Sequence, residues 1–501
     1  MFLKNKIALL VFVATIFRCI IAWSIDLGND EVYYLTYAQH LQWNYFDHPP
    51  MVALLIRLTT LNLLETSAFF VRLGPIILAA VNTYLIYAIT KTIKDQKSGL
   101  IAALLYSSSI YSSIIAGVFI LPDTPQLFFW MLALYALVQL IHTPKRQNLY
   151  LILFGLCAGL SIMSKIHGVF LWFGFGLYVV IYDQKHLSKP AFYMAILTTL
   201  VISSPILLWN IDNHFITYTF HSNRVAINQG INSDGFWREL FGGFLYNNPI
   251  NYFLIIGTLI ALSKNKVILA VPYLRILLLQ SLPLIGILLV LSLFRNTLPH
   301  WSGPGYTALL ILAGCYLSDL KKPKITKLVP YASYLIIGMV AIAMAVVLAY
   351  PGTLGSKKEA ILGKGDVTLD LYNWNEFKTE FEKIHQKNQT SGLTNTSFII
   401  NNKWFPGAHI DHYIAQPLNM DFVALGTLAD IHTYHWLNQY RKQLKKGDTA
   451  YYITVSNSFT DPNLIYATEF KKINAPTIIQ QLRGNQPARY LYIYVMQGYK
   501  E

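Results

Sequence analysis

The chain of 501 residues is 54% hydrophobic and only 13% charged, with a mean hydropathy of +0.41 and a formal net charge of +14. So much apolar surface exceeds what a soluble globular domain can hide, which specifies a polytopic membrane protein. The basic excess does not read as a nucleic-acid footprint, because the lysines and arginines fall in short loops between apolar runs.

The first apolar run, residues 7–25, is interrupted by Arg18 and has no small-residue cleavage site after it. It reads as a retained span rather than a signal peptide. Further runs follow at 69–90, 99–119, 125–142, 149–163, 168–182, 191–208, 243–262, 268–293, 302–318 and 329–350. These predict about eleven transmembrane helices, each long enough for a hydrocarbon core of roughly 30 Å. Alternate gaps hold Lys4 and Lys6, then Lys91, Lys94 and Lys97, then Lys145 and Arg146, Lys185 and Lys189, and Lys264 and Lys266, and finally Lys321, Lys322, Lys324 and Lys327. Against them stand only Asp95, Asp183 and Asp319. By the positive-inside rule these loops are cytoplasmic, which puts the amino terminus inside and the carboxyl terminus outside. Cys19, Cys157 and Cys315 all fall within spans, so no disulfide framework is implied.

Three outer segments are richer than the rest: 26–68, 209–241 and everything after Tyr350. In the first, Asn29 is placed to cap a helix running through Asp30, Glu31 and the tyrosines Tyr33, Tyr34 and Tyr37. Pro49-Pro50 is placed to open a second helix over 51–63, and Trp43, Tyr45 and Phe46 between them suit an interfacial belt. Residues 1–350 are therefore expected to form a transmembrane domain, and 351–501 an α/β domain on the outer side. In the latter, "SFIINNKWF", "TAYYITVSN" and "ARYLYIYVMQGY" read as strands, while "NWNEFKTEFEKIHQK" and "DIHTYHWLNQYRKQLKK" read as amphipathic helices.

The outer side gathers ionisable groups. Asp30 and Glu31 have a plain alternative, since acids in a first helical turn offset the helix dipole by about 0.3–1 kcal/mol. Asp47-His48 returns to the same loop, Asp123 in "FILPDTPQLFFW" occupies the next, and Lys165 in "LSIMSKIHGVF" terminates the fifth span. Asp123 alone reads as a helix cap. Lys165 alone reads as a lysine snorkelling to the interface, since an ionisable group between apolar runs costs a few kcal/mol without a partner. Together they describe a membrane-surface cleft with carboxylates for base or metal work and cations for an anionic ligand. Arg72 and, more weakly, Arg224 add guanidinium groups suited to phosphate, with His221 near the second. His300 lies on the same face with Arg295, and beside Trp301 it reads as an interfacial packing residue. Oxygen and imidazole donors at Asp47 and His48 suit a divalent ion, Mg²⁺, Mn²⁺ or Zn²⁺, although no tight ligand spacing is present. There is no P-loop, no GxGxxG before a helix and no GxSxG elbow, which excludes an ATP-driven pump, a nucleotide-cofactor enzyme and a serine hydrolase of the familiar kinds.

The ordered set "NDEVYY", "YFDHPP", "VRLGP", "LPDTPQLFFW", "SKIHG", "SPILLWN" and "LPHWSGP" resembles bacterial members of the dolichyl-phosphate-mannose protein mannosyltransferase superfamily. This glycosyltransferase family 39-like group has the C fold and includes the lipid A aminoarabinose transferases. The resemblance covers residues 1 to about 350, and several relatives also carry an outer α/β domain. It implies transfer of a sugar from a polyprenyl phosphate to an acceptor at the outer face of the bacterial inner membrane. It implies catalytic roles for Asp30, with Glu31 beside it, and for Asp123, and a donor and phosphate set of Lys165, Arg72, His48, Arg224 and Tyr34. "YFDHPP" is similar to the Phe-Glu-Lys-Pro segment that lines the donor and metal region of the aminoarabinose transferases. His48 stands where those have lysine, which moves the phosphate contact toward Lys165 or Arg72. The expected partners are an undecaprenyl-phosphate sugar, membrane lipids and a glycolipid acceptor such as lipid A. The alternatives are a protein acceptor, as in a protein O-mannosyltransferase, and a lipid or sugar transporter without chemistry. The transporter would show inverted repeats with paired broken helices near the midplane, whereas here the polar residues gather at one face.

Overall fold

A computed structural model describes residues 2–225, 230–231, 233–266 and 269–500. The chain forms two compact units, one of Met1–Trp23 with Leu41–Val340 and the other of Ser24–His40 with Ala341–Glu501. The sequence placed all of 26–68 with the membrane domain. The structure instead counts the first helix of that segment with the C-terminal unit, for reasons visible in its hydrogen bonds. Leu27 N–H donates to the Tyr413 hydroxyl at 2.8 Å, Asn29 Nδ2 to Asp370 Oδ2 at 2.7 Å, and Trp374 N–H to Asp26 Oδ2 at 2.7 Å.

The membrane unit is all helical. Among the described residues six helices are long and apolar enough to cross a bilayer, or seven if one strongly bent pair counts as a single span. The anticipated spans at 99–119, 149–163 and 302–318 hold helices of 13, 16 and 17 residues, Gln96–Ser108, Gln147–Ile162 and Gly303–Asp319. The last is buried along nearly its whole length, so its apolar character on every side serves the centre of the bundle. Glycine sets one crossing: a Cβ on Gly155 would stand 2.3 Å from the Ala195 carbonyl oxygen. With none there, Pro190–Asp212 packs against Gln147–Ile162 closely enough for Thr199 Oγ1 to donate to the Gly155 carbonyl at 2.7 Å.

The anticipated straight span at 243–262 is instead Ser233–Tyr246 and Pro249–Ser263, bent by 101°. Asn248 makes the break. Its φ of 68° leaves helical space, its Oδ1 accepts from Ile250 N–H at 3.0 Å, and its Nδ2 donates to the carbonyls of Ser108 and Ala332, both at 2.9 Å. The polar groups freed by the bend are thus satisfied inside the bundle. The helix opened by Pro49-Pro50 runs only over Met51–Thr59, because Leu61, Asn62 and Leu63 all take positive φ.

The C-terminal unit is α/β. Strands β1 (Phe398–Asn401), β2 (Asp421–Ala424), β3 (Ala450–Val455), β4 (Phe470–Ile473), β5 (Thr477–Arg483) and β6 (Gln486–Tyr499) form one sheet in the order β2-β1-β3-β6-β4, with β5 also on β6. β1 is parallel to both β2 and β3, and the β6 pairings are antiparallel. The apolar runs that predicted β1, β3 and β6 bury Phe398, Ile400, Tyr452 and Tyr494 in one cluster, joined by Val423 of β2. β5 and β6 meet at Gly484-Asn485, both at positive φ, which a two-residue hairpin turn requires. The helix expected over 374–387 is present as Trp374–Thr390. The one expected over 430–446 is not. Only Leu428–Ile431, Tyr434–Leu437 and a single turn at Asn438–Tyr440 form, because His432 at φ 50° interrupts the first two.

Candidate active site in the membrane unit

Asp123 occupies the first turn of the Asp123–His142 helix, and Lys165 lies in extended backbone just beyond the Gln147–Ile162 helix. Forty-two positions apart in sequence, they meet as an ion pair with Lys165 Nζ 2.8 Å from Asp123 Oδ2. Both are buried, at 2% and 3% exposure. The Tyr111 hydroxyl donates to Asp123 Oδ1 at 3.4 Å, and His300 Nε2 stands 3.9 Å from Oδ2. Burial pushes the His300 imidazole down to about 4, so it faces the carboxylate as a neutral ring. Lys165 lies 5.9 Å from the centre of the Trp301 ring. An ammonium has three protons to give, and here only one has a partner among the described residues.

The pair borders a pocket of about 220 Å³. Its polar wall carries Asp47, His48, Lys165 and His167, and its apolar wall Ile166, Ile206, Leu288, Leu291 and Trp301. One backbone bond explains how residues from distant loops share it. Met51 N–H, at the start of the helix that Pro50 opens, donates to the Met163 carbonyl at 3.3 Å. That bond lays the Asp47-His48 turn, itself closed by Tyr45 N–H to the His48 carbonyl at 3.2 Å, beside the turn that holds Lys165. His167 Nδ1 is buried without a partner among the described residues, and its ring centre is 5.3 Å from that of Trp301.

The remaining candidates are not among the residues that line this pocket. Arg72 is fully buried, its Nη1 donating to the Ala22 carbonyl at 3.2 Å and its guanidinium 5.5 Å from the centre of the Phe119 ring, so it braces helices and does not line the pocket. The side chains of Arg224 and His221 lie outside the described residues. Asp30, Glu31 and Tyr34 belong to the C-terminal unit. Asp30 is exposed on the first turn of Asn29–Gln39. Glu31 is buried, and its Oε2 accepts from Gly28 N–H at 2.8 Å, one half of a capping box; the cap is Gly28, which has no side chain to supply the other half, rather than the expected Asn29. Tyr34 is buried against Tyr33 and Tyr37. Asp47 and His48 supply two donors to the pocket. Among the described residues no group of three or more His, Cys, Asp or Glu is arranged to hold a metal ion, and no step below is routed through one. The sequence motifs also contain pocket residues to which sequence reasoning gives no role, among them His167, two positions after Lys165, and Trp301, next to His300.

Comparison with known proteins agrees with this geometry. The sequence profile of the family described as Dolichyl-phosphate-mannose-protein mannosyltransferase matches residues 47–209, which contain Asp47, His48, Asp123, Lys165 and His167. The lipid A galacturonosyltransferase RgtD of Rhizobium johnstonii is 24% identical over 359 residues, covering 69% of this chain and 70% of that protein. ArnT from Cupriavidus metallidurans superposes with a TM-score of 0.62 in its apo state and 0.63 in its complex with undecaprenyl phosphate. Each comparison has 14% identity and covers 98% of both chains. The chain is a multi-pass membrane protein with the fold of ArnT, and its residues 47–209 are similar to the dolichyl-phosphate-mannose-protein mannosyltransferases.

Proposed function

We propose that the protein transfers a sugar from a polyprenyl phosphate, undecaprenyl phosphate in a bacterium, to lipid A or a related glycolipid at the periplasmic face of the inner membrane. The observation that carries this reading is the pocket itself, in which a buried ammonium with unspent donors ends an otherwise apolar wall. A lipid phosphate has that shape: isoprene units for Ile206, Leu288 and Leu291, and an anionic head for Lys165. The relative that acts on lipid A and the fold that takes undecaprenyl phosphate support the same acceptor and donor.

In this reading an acceptor oxygen attacks the anomeric carbon as the bond to the lipid phosphate breaks, with inversion of configuration. Negative charge builds on the departing phosphate. Lys165, held by Asp123, neutralises it in a site where water is scarce and such contacts are strong. Asp123 fixes the position of the ammonium, and the Tyr111 hydroxyl holds the carboxylate in turn. The resemblance assigns the proton-accepting carboxylate to Asp30, while the pocket's own carboxylate is Asp47. Asp30→Asn and Asp47→Asn separate the two assignments: the variant that loses turnover at unchanged donor affinity carries the base. The function itself is tested with membranes supplied with labelled undecaprenyl-phosphate sugar. Labelled lipid A together with free undecaprenyl phosphate is the expected result. Labelled protein instead would establish the protein O-mannosyltransferase, and movement of intact donor with no release of polyprenyl phosphate would establish a transporter.

A further inference from the structure

The C-terminal unit contains a second built site. β1 lies between β2 and β3 and is parallel to both, so the chain winds from β1 out to β2 and then crosses to the other side of β1 to form β3. Open α/β sheets take ligands outside the carboxyl ends of their parallel strands, and this crevice lies over the ends of the adjacent pair β1 and β2. Here Asn402 immediately follows β1 and Gly426 lies just past β2, and both line a crevice of about 360 Å³, within the ~300–1,000 Å³ range of ligand pockets. A Cβ on Gly426 would stand 2.5 Å from the Asn402 carbonyl oxygen, so a residue without a side chain is what lets the two strand ends come together. Across from them are Tyr466 and Glu469, from the segment before β4, and Tyr499 of β6.

Asn402 and Asp430 are held in place with hydrogen-bonding capacity left over. The Tyr452 hydroxyl donates to Asn402 Oδ1 at 3.0 Å, which fixes the amide and leaves its NH₂ without a partner among the described residues. Asp430 Oδ2 accepts from Thr427 Oγ1 at 2.6 Å, and its other oxygen accepts nothing among the described residues. The Tyr466 hydroxyl is committed to the Leu425 carbonyl at 2.6 Å, so this residue offers ring and not hydroxyl. The lining thus combines two carboxylates, Asp430 and Glu469, with an amide donor and tyrosine rings, and it holds no cationic side chain. Carboxylates and an amide match the alternating donors and acceptors of sugar hydroxyls, and tyrosine offers apolar surface to a pyranose. Without a cation, the same lining disfavours a phosphate or a uronic acid.

We propose that this crevice binds a saccharide carrying free hydroxyls and no acid group, an amino sugar being favoured by the two carboxylates. The site is judged by binding alone and is independent of the transfer reaction. The intact protein in detergent is titrated with glucosamine and, separately, with galacturonic acid, followed by saturation-transfer NMR and calorimetry. Glucosamine is expected to bind saturably, and galacturonic acid at least tenfold more weakly. Asp430→Asn and Glu469→Gln are each expected to weaken glucosamine at least tenfold, whereas Lys165→Ala in the membrane unit leaves it within twofold. Because Thr427 bonds to Asp430, the Glu469 variant decides the matter if Asp430→Asn disturbs its loop. Absence of saturable glucosamine binding, equal affinity for galacturonic acid, affinity unchanged in Glu469→Gln, or loss with Lys165→Ala would each overturn the proposal.

Discussion

Asp123–Lys165 in the membrane unit and Asp366–Arg483 in the C-terminal unit are both carboxylate–cation pairs shut away from solvent, at 2.8 and 2.9 Å. Their surroundings differ. Arg483 donates not only to Asp366 but also to the carbonyls of Tyr350 and Gly352 and to Thr368 Oγ1, and Asp366 accepts from Leu354 N–H, Thr368 N–H and Thr353 Oγ1. Nearly every donor and acceptor of that pair is used, as expected where a buried charge serves the fold. Lys165 has one hydrogen-bond partner and borders a cavity. Desolvating an ammonium and leaving two of its donors idle is unfavourable for folding, which is why a ligand's charge belongs beside it. Burial alone therefore does not mark a functional charge; unspent hydrogen-bonding capacity facing a cavity does.

The comparison predicts opposite consequences for removing the two cations. Arg483→Ala strands Asp366 and should destabilise the C-terminal unit by about 3–5 kcal/mol. Thermal unfolding of the intact protein, with proteolysis to localise the loss, measures it, and an unshifted unfolding curve would break the comparison. Lys165→Ala, combined with Asp123→Asn so that no buried carboxylate is stranded, should instead slow transfer by roughly 10²–10³-fold, the scale for losing one group that stabilises developing charge, while the protein unfolds much as before. If stability fell and turnover survived, Lys165 would be a structural charge like Arg483. Glu31→Ala tests the acid that sequence could assign either way. As a capping residue it should cost about 1 kcal/mol of stability and leave transfer within a few-fold. A loss of activity comparable to that of Lys165→Ala would return it to catalysis.

The smallest effect is one of pH. Burial pushes the Asp370 carboxyl from its ordinary 3.8 up to about 7, against the opposing pull of Arg489 and of the Asn29 amide that donates to it. The folded chain then holds this proton more tightly than the unfolded one, so stability falls as pH rises from about 4 to about 7. Asp370→Asn should flatten that slope and relatively favour the folded form above about pH 7, as read from melting temperatures on either side of the window. A slope unaltered by the substitution would show that other groups set it.

Much of the molecule was legible because the bilayer is a stringent solvent. Long apolar runs must be helices, and their order and approximate limits follow from hydropathy alone. Asp123 and Lys165 could be singled out for the same reason, as charges that apolar neighbours make costly. Runs of β-branched and aromatic residues disclosed β1, β3 and β6, but not the four-residue β2, nor β4 and β5, where Lys471, Lys472 and glutamines interrupt such a run. The helix expected over 430–446 failed at His432, where one backbone dihedral overrides an amphipathic pattern, and the bend at Asn248 was hidden because asparagine at positive φ leaves no trace in hydropathy.

The sequence by itself determined a many-spanned membrane protein with an α/β appendage, and a roster of ionisable residues bordering its spans. Only the tertiary structure decided which of them meet. It joined Asp123 to Lys165, carried Asp47, His48 and His167 to the same cavity, turned Arg72 into a brace, and placed Asp30 and Glu31 on the other unit. The physical reason is range. Hydropathy and helix capping act over a few residues, and one sequence displays them. Pairing across forty-two positions depends on how helices cross and on single backbone bonds such as Met51 to Met163, which no local pattern encodes.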